Sequence, residues 1–197
     1  DTGIDYQNPL FRKEDGSSRI LGIWDQTLET GAPDPVNGFQ ALYGTQYSKE
    51  EIDQALAAPD PLALVPSADE NGHGTFLASV AAGGEDPDQD FTGAAPKASI
   101  AMVKLKPAKE YLRDFYLIRE GADAYQENDI MMGVAYLLHL ARRFSMPLVI
   151  CLGLGTNQGS HVGKSPLGLY LDDINIYAGT AVITAAGNET GYGHHYR

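Results

Sequence analysis

Three short polar or glycine-rich motifs in this 197-residue sequence contain residue types that hydrolytic chemistry uses: Asp1-Thr-Gly-Ile-Asp5, Asn71-Gly-His-Gly-Thr75 and Ala185-Ala-Gly-Asn-Glu189. Hydrolysing a peptide through a hydroxyl nucleophile requires a base for the hydroxyl proton, a carboxylate to orient that base, and donors for the oxyanion. An aspartate, a histidine and an asparagine are side chains able to fill those places. Taken singly, Asp1 reads equally well as a turn former and His73 as a residue at a helix start. Only elements that bring the motifs together would give them a shared chemistry.

Turn and cap signals divide the chain into alternating strand-like and helix-like pieces, without an internal repeat, as expected of one α/β unit. Arg19 to Trp24 reads as a strand, Gly31 to Gly44 as a loop, and Ser48-Lys-Glu-Glu51 as a capping box opening a helix to about Ala57. Phe76 to Ala82 reads as a helix stopped by Gly83-Gly84, and Ser99 to Leu105 as the next strand. Asn128 is the expected cap of the clearest helix, which carries Ile130, Val134, Leu137, Leu138 and Ala141 on one face and ends before Pro147. His139 falls on its polar side, where exposure is expected. Leu148 to Leu152 is a continuous apolar run of the kind buried on both faces, and Thr180 to Ala186 reads as a further buried strand. Between them Ser165-Pro166 caps a helix to about Ala178. This β-α-β-α-β order implies a parallel sheet, with functional loops at the carboxyl ends of its strands.

In their order along the chain, and with Gly93-Ala-Ala-Pro-Lys-Ala-Ser-Ile100 between the second and third, the three motifs resemble those of the subtilisin-like serine peptidases, the subtilases. The resemblance runs from Asp1 to about Asn188. Trp24-Asp-Gln-Thr27, Tyr43-Gly-Thr45 and Ser67 to Thr75 make the chain look most like clostridial subtilases, a group that includes spore-germination proteases. The resemblance implies an α/β, three-layer subtilisin-like fold with a mostly parallel sheet, incomplete at both ends. Residues 1–197 would form a partial catalytic domain with an enlarged insertion at about 25–70. The whole segment between Asp1 and His73 is expected to restrict access to the cleft, since Pro- and Gly-rich insertions generally lie on the surface.

The resemblance also implies roles. Asp1 matches the carboxylate that holds the imidazole, His73 the general base, and Asn188 the amide that donates to the oxyanion. Leu152, Gly153, Leu154 and Gly155 resemble the strand that pairs with extended substrate, and Ala185, Ala186 and Gly187 a wall of the pocket for the residue before the scissile bond. Read without the resemblance, Leu152 to Gly155 is a buried strand followed by a turn. The activity implied is serine endopeptidase chemistry through an acyl-enzyme, on a peptide or protein substrate. The alternative is a non-catalytic pseudoprotease serving as a binding or signalling scaffold.

The nucleophile motif, Gly-Thr-Ser at a helix start well after the oxyanion asparagine, does not occur after Asn188. Ser165 precedes Asn188 and is better explained as a helix cap. The expectation is therefore a chain inactive alone, continuing in both directions, with a serine-bearing C-terminal part as its partner. A free ammonium on Asp1 would compete with His73 for the carboxylate.

Composition narrows the remaining choices. With 14 Lys and Arg against 26 Asp and Glu, the net charge of −12 disfavours nucleic-acid binding. The lone Cys151 excludes an intrachain disulfide, and no apolar run is long enough to span a membrane. No cofactor is required. Glu85 to Asp90 lies where many subtilases bind calcium, but its Asp/Pro pattern reads as a solvated acidic turn, and metal binding is assigned to no residue. His194-His195 reads as a polar segment, and His161 as a residue near the substrate strand. Localisation follows the resemblance alone, as secreted or spore-associated.

Overall fold

The computed structural model describes residues 1–29, 38–156, 159–160, 162–188, 191 and 193. His161, Glu189, His194 and His195 lie outside the described residues, as do residues 31–37 of the loop expected at 31–44. In chain order the elements are a 3-10 turn Pro9–Phe11, β1 Ile20–Asp25, β2 Thr45–Ser48, α1 Lys49–Ala57, α2 Pro61–Leu64, α3 His73–Ala82, β3 Ile100–Lys104, α4 Glu110–Phe115, α5 Glu127–Arg143, β4 Leu148–Leu152, α6 Pro166–Asn175 and β5 Thr180–Thr184.

β1 lies between β2, which runs antiparallel to it, and β3, which runs parallel; Ile23 stands opposite Tyr47 on one side and Met102 on the other. β4 and β5 pair in parallel from Leu148 with Thr180 to Leu152 with Thr184. Among the described residues no ladder joins β3 to β4, so the strands form a three-stranded and a two-stranded sheet, not the one sheet expected. The class is α/β.

α5 links the two sheets. Ile130, Tyr136 and Leu140 join Trp24 and Val103 in one apolar cluster, while Val134 packs with Ile150 and Ile174 in another. Its apolar surface is therefore wider than the single face read from periodicity, because it touches two layers. Burying each such side chain contributes about 1.5–3 kcal/mol. The helix starts at Glu127, and Asn128 is not its cap: Gln126 holds that position and its Nε2 donates to Asn128 Oδ1 at 3.1 Å. His139 is half-buried, not exposed, because the Phe39 ring lies over it with centroids 5.7 Å apart.

Other boundaries differ for local reasons. α3 begins three residues before Phe76, and α6 stops at Asn175. The Ser48 capping box forms in full, and Ser165 Oγ accepts from Gly168 N at 3.1 Å, which gives Ser165 its cap role. Among the described residues β4 is covered on one face only: Ile150 is buried, while Val149 is 69% exposed and Cys151 is also exposed. Ile183 on β5 is likewise 56% exposed. α5 and α6 cover one face of this pair, and no described element covers the other.

The segment at about 25–70 is not confined to the surface. It supplies edge strand β2, and Ile52, Ala55 and Val65 enter a core with Ile4, Phe11 and Ile20. Asp25 is buried and accepts from Ser67 Oγ at 2.6 Å.

Candidate active site

Asp1 is held at the carboxyl end of β3 by its backbone. Leu105 N donates to Asp1 O at 2.9 Å, and the Asp1 amino nitrogen donates to Val103 O at 3.1 Å.

His73 is the first residue of α3, preceded by Gly72 in the left-handed conformation at the cap position. Its Nδ1 lies 2.9 Å from Asp1 Oδ1, an oxygen that also accepts from Thr2 N at 2.7 Å. The Asp1 side chain is 11% exposed and that of His73 46%, so the carboxylate is shielded while the imidazole stays accessible. With Nδ1 engaged by a carboxylate, Nε2 is the nitrogen left to exchange a proton with a reactant.

Two close approaches depend on glycine. A Cβ on Gly74 would run into the carbonyl of Gly3, so a side chain there would separate the Asp1 segment from α3. A Cβ on Gly153 would collide with Leu77 and lie 2.8 Å from Asp1 Oδ2 and 3.4 Å from His73 Cε1. Asp1, His73 and Gly153 thus converge.

The pairing continues one residue past β5, with Ala185 N donating to Leu152 O, at the end of β4, at 3.1 Å. Leu152 to Gly155 and Ala185 to Asn188 therefore leave neighbouring strands at their carboxyl ends, where α/β sheets bind ligands. Ala185, Ala186, Gly187, Asn188 and Gly155 are exposed; Leu152, Gly153 and Leu154 are half-buried. No hydrogen bond links Asn188 to Asp1 or His73 among the described residues. In the acidic loop, Asp86 Oδ1 accepts from Asp88 N at 3.2 Å and Gln89 N at 3.3 Å. No group of three or more potential metal ligands occurs among the described residues.

The groups that brace this pair carry no motif of their own in the sequence. Lys104 Nζ, at the end of β3, donates to Ala68 O and Glu70 Oε2, both at 2.7 Å. That ammonium holds the Glu70 carboxyl below its usual range. Asp69, between those two residues, bonds to both motif segments. The available signal was an aspartate four residues before His73, with threonines at 2 and 75, but the partners of such short polar side chains emerge only on folding.

This geometry defines a class of protein in which an aspartate beside the carboxyl end of a strand and a histidine at a helix start form a hydrogen-bonded pair, next to a glycine-bearing strand end. The model of the subtilase family, Peptidase S8, matches residues 1–196, and the chain belongs to that family. Among solved structures it is similar to the CspB protease of Clostridium perfringens, with 33% sequence identity and a TM-score of 0.78. The match covers 97% of this chain and 36% of that one, so the chain spans little more than a third of the length of that protein.

Proposed function

We propose that this chain carries the aspartate, histidine and oxyanion-binding part of a serine endopeptidase that cleaves peptide bonds through an acyl-enzyme. The observation that carries the reading is the 2.9 Å contact between Asp1 Oδ1 and His73 Nδ1. The nucleophilic serine comes from further polypeptide of the same protein, since residues 1–197 offer no motif for it; the much greater length of the similar protease supports this.

In this mechanism His73 Nε2 takes the hydroxyl proton as the serine oxygen bonds to the scissile carbonyl carbon. Asp1 fixes the imidazole tautomer and stabilises the imidazolium. The carbonyl oxygen becomes negative and accepts from the side-chain amide of Asn188. The proton then passes from His73 to the leaving amine as the carbon–nitrogen bond breaks, and water, deprotonated by His73, releases the acyl group. Substrate backbone pairs with Leu152 to Gly155 as an added strand, and Ala185 to Gly187 line the pocket beside it.

The test is hydrolysis of a peptide library by the full-length protein, with fluorophosphonate titration of active sites. His73→Ala should lower kcat by about 10⁶, the loss seen when a subtilisin triad loses its base. The 197-residue chain alone should be inactive. A folded full-length protein that neither hydrolyses peptides nor takes up fluorophosphonate would overturn the reading in favour of a scaffold role.

A further inference from the structure

The Asp1–His73 pair joins two chain segments whose relative placement must hold to a fraction of an ångström for proton transfer. One carboxylate bonds to both. Asp69 Oδ1 accepts from Thr2 Oγ1 at 2.8 Å and from Gly72 N at 3.0 Å. Its Oδ2 accepts from Thr75 N at 2.8 Å and from Thr75 Oγ1 at 2.6 Å. An ionised carboxylate has about four lone-pair sites, and these four donors fill them.

The donors are flanking neighbours of the pair. Thr2 follows Asp1, and its Oγ1 also accepts from Gly74 N at 2.9 Å. Gly72 and Thr75 bracket His73 at the start of α3, where the first amides have no partner within the helix. Gly72 has no side chain to cap them. Asp69 does so from outside, with its negative charge at the positive end of the helix. Thr75 Oγ1 in turn accepts from Asp5 N at 2.9 Å, adding a second link to the Asp1 segment. Burial opposes a charge on Asp69, but the bonds from Thr75, Thr2 and Gly72 outweigh it and keep the carboxyl below its usual range.

We infer that Asp69 is a positioning residue of the hydrolytic site: by bonding Thr2 on one side and Gly72 and Thr75 on the other, it sets the Asp1–His73 separation. The kinetic part of this inference rests on the proposed peptidase reading; the geometric part does not. Asp69 touches neither substrate nor reacting atoms. It acts by limiting the orientations of His73 relative to Asp1.

The experiment uses the full-length protein and the variants Asp69→Ala, Asp69→Asn and Thr75→Val. Per titrated active site, Asp69→Ala should lower kcat about 100-fold with KM within threefold, the scale of a one-ångström misplacement. Asp69→Asn retains a carbonyl acceptor and should recover part of the loss. In a His73→Ala background, Asp69→Ala should cause no further drop, because its effect passes through His73. Crystal structures of the variants read the geometry whether or not the protein hydrolyses anything. There the Asp1 Oδ1 to His73 Nδ1 distance should lengthen beyond 3.5 Å, or His73 should take a second rotamer. If Asp69→Ala does not fold, Asp69→Asn and Thr75→Val carry the same measurements. A folded variant with an unchanged 2.9 Å contact overturns the inference. So does unchanged kcat per titrated site, or an equal loss in the His73→Ala background. An inactive wild type would overturn the peptidase reading alone, leaving the crystallographic arm to decide the role of Asp69.

Discussion

Gly153 and Asp1 approach so closely that a methyl group on Gly153 would sit 2.8 Å from Asp1 Oδ2. The same methyl would meet Leu77, so the space between β4, α3 and the Asp1 segment is already full. Leu77 can move the end of a flexible side chain. Asp1 cannot retreat without changing its bond to His73.

Under the peptidase reading, Gly153→Ala in the full-length protein should therefore lower kcat by at least tenfold; on either reading it should lengthen the Asp1–His73 contact. Overpacking of this kind costs about 1–3 kcal/mol, so the melting temperature should fall as well. Kinetics with a crystal structure of the variant check both, and a variant with wild-type kcat would show that the site absorbs the methyl elsewhere.

Asn188→Leu keeps comparable bulk and removes the amide donor. Under the oxyanion reading, kcat should fall by about 10²–10³ with little change in KM. Asn188 is exposed, so its packing contribution is small and stability should stay within about 0.5 kcal/mol of wild type. Steady-state kinetics and thermal unfolding of one preparation separate the outcomes. Loss of stability with an intact kcat would assign Asn188 to structure.

Asp69 should make the fold acid-sensitive. Its folded-state value lies below the ordinary one, so its contribution to stability is present above the unfolded-state value of about 3.9 and is lost as pH falls through the folded value. Unfolding free energy measured by denaturant titration between pH 2 and 6, on the order of the carboxylate range, should drop less steeply for Asp69→Asn than for wild type. Equal slopes would remove Asp69 from the acid limb.

A second buried network should dominate stability away from the site. Asp129 is 1% exposed; its Oδ1 accepts from Tyr43 Oη at 2.6 Å and lies 3.3 Å from Lys106 Nζ, while its Oδ2 has no hydrogen-bond partner among the described residues. The Lys106 ammonium also sits 3.5 Å above the Tyr43 ring. Tyr43→Phe should cost about 1–3 kcal/mol, the penalty of an acceptor left unsatisfied. Lys106→Met leaves a buried charge without its counter-ion and should cost more, toward the lower end of the roughly 3–5 kcal/mol range because Lys106 is partly exposed. Denaturant unfolding ranks the two, and the reverse order would mean that Asp129 is not held chiefly by charge.

Much of the secondary structure was legible in the sequence because its signals are local. The capping box at Ser48, the Ser165-Pro166 start of α6 and the apolar run of β4 each lie within a few residues of what they determine. The motif residues Asp1 and His73 were legible as chemical types, and their order carried the family. What escaped depends on contacts between distant parts of the chain. Phe39 covers His139 from a hundred positions away, so periodicity alone placed that imidazole in solvent. Likewise, the open face of β4 and β5 follows from which layers pack on them, and an apolar run does not encode that.

The sequence by itself determined which side chains are available for chemistry and which strands and helices carry them, because residue type, period and caps act over a single turn or strand. Only the tertiary structure decided that Asp1 reaches His73 and Gly153, and that Asp69 bonds to the segments of both. Short polar side chains can bond to many partners at similar free energy. The choice falls to whichever donors the packed elements bring within hydrogen-bonding distance.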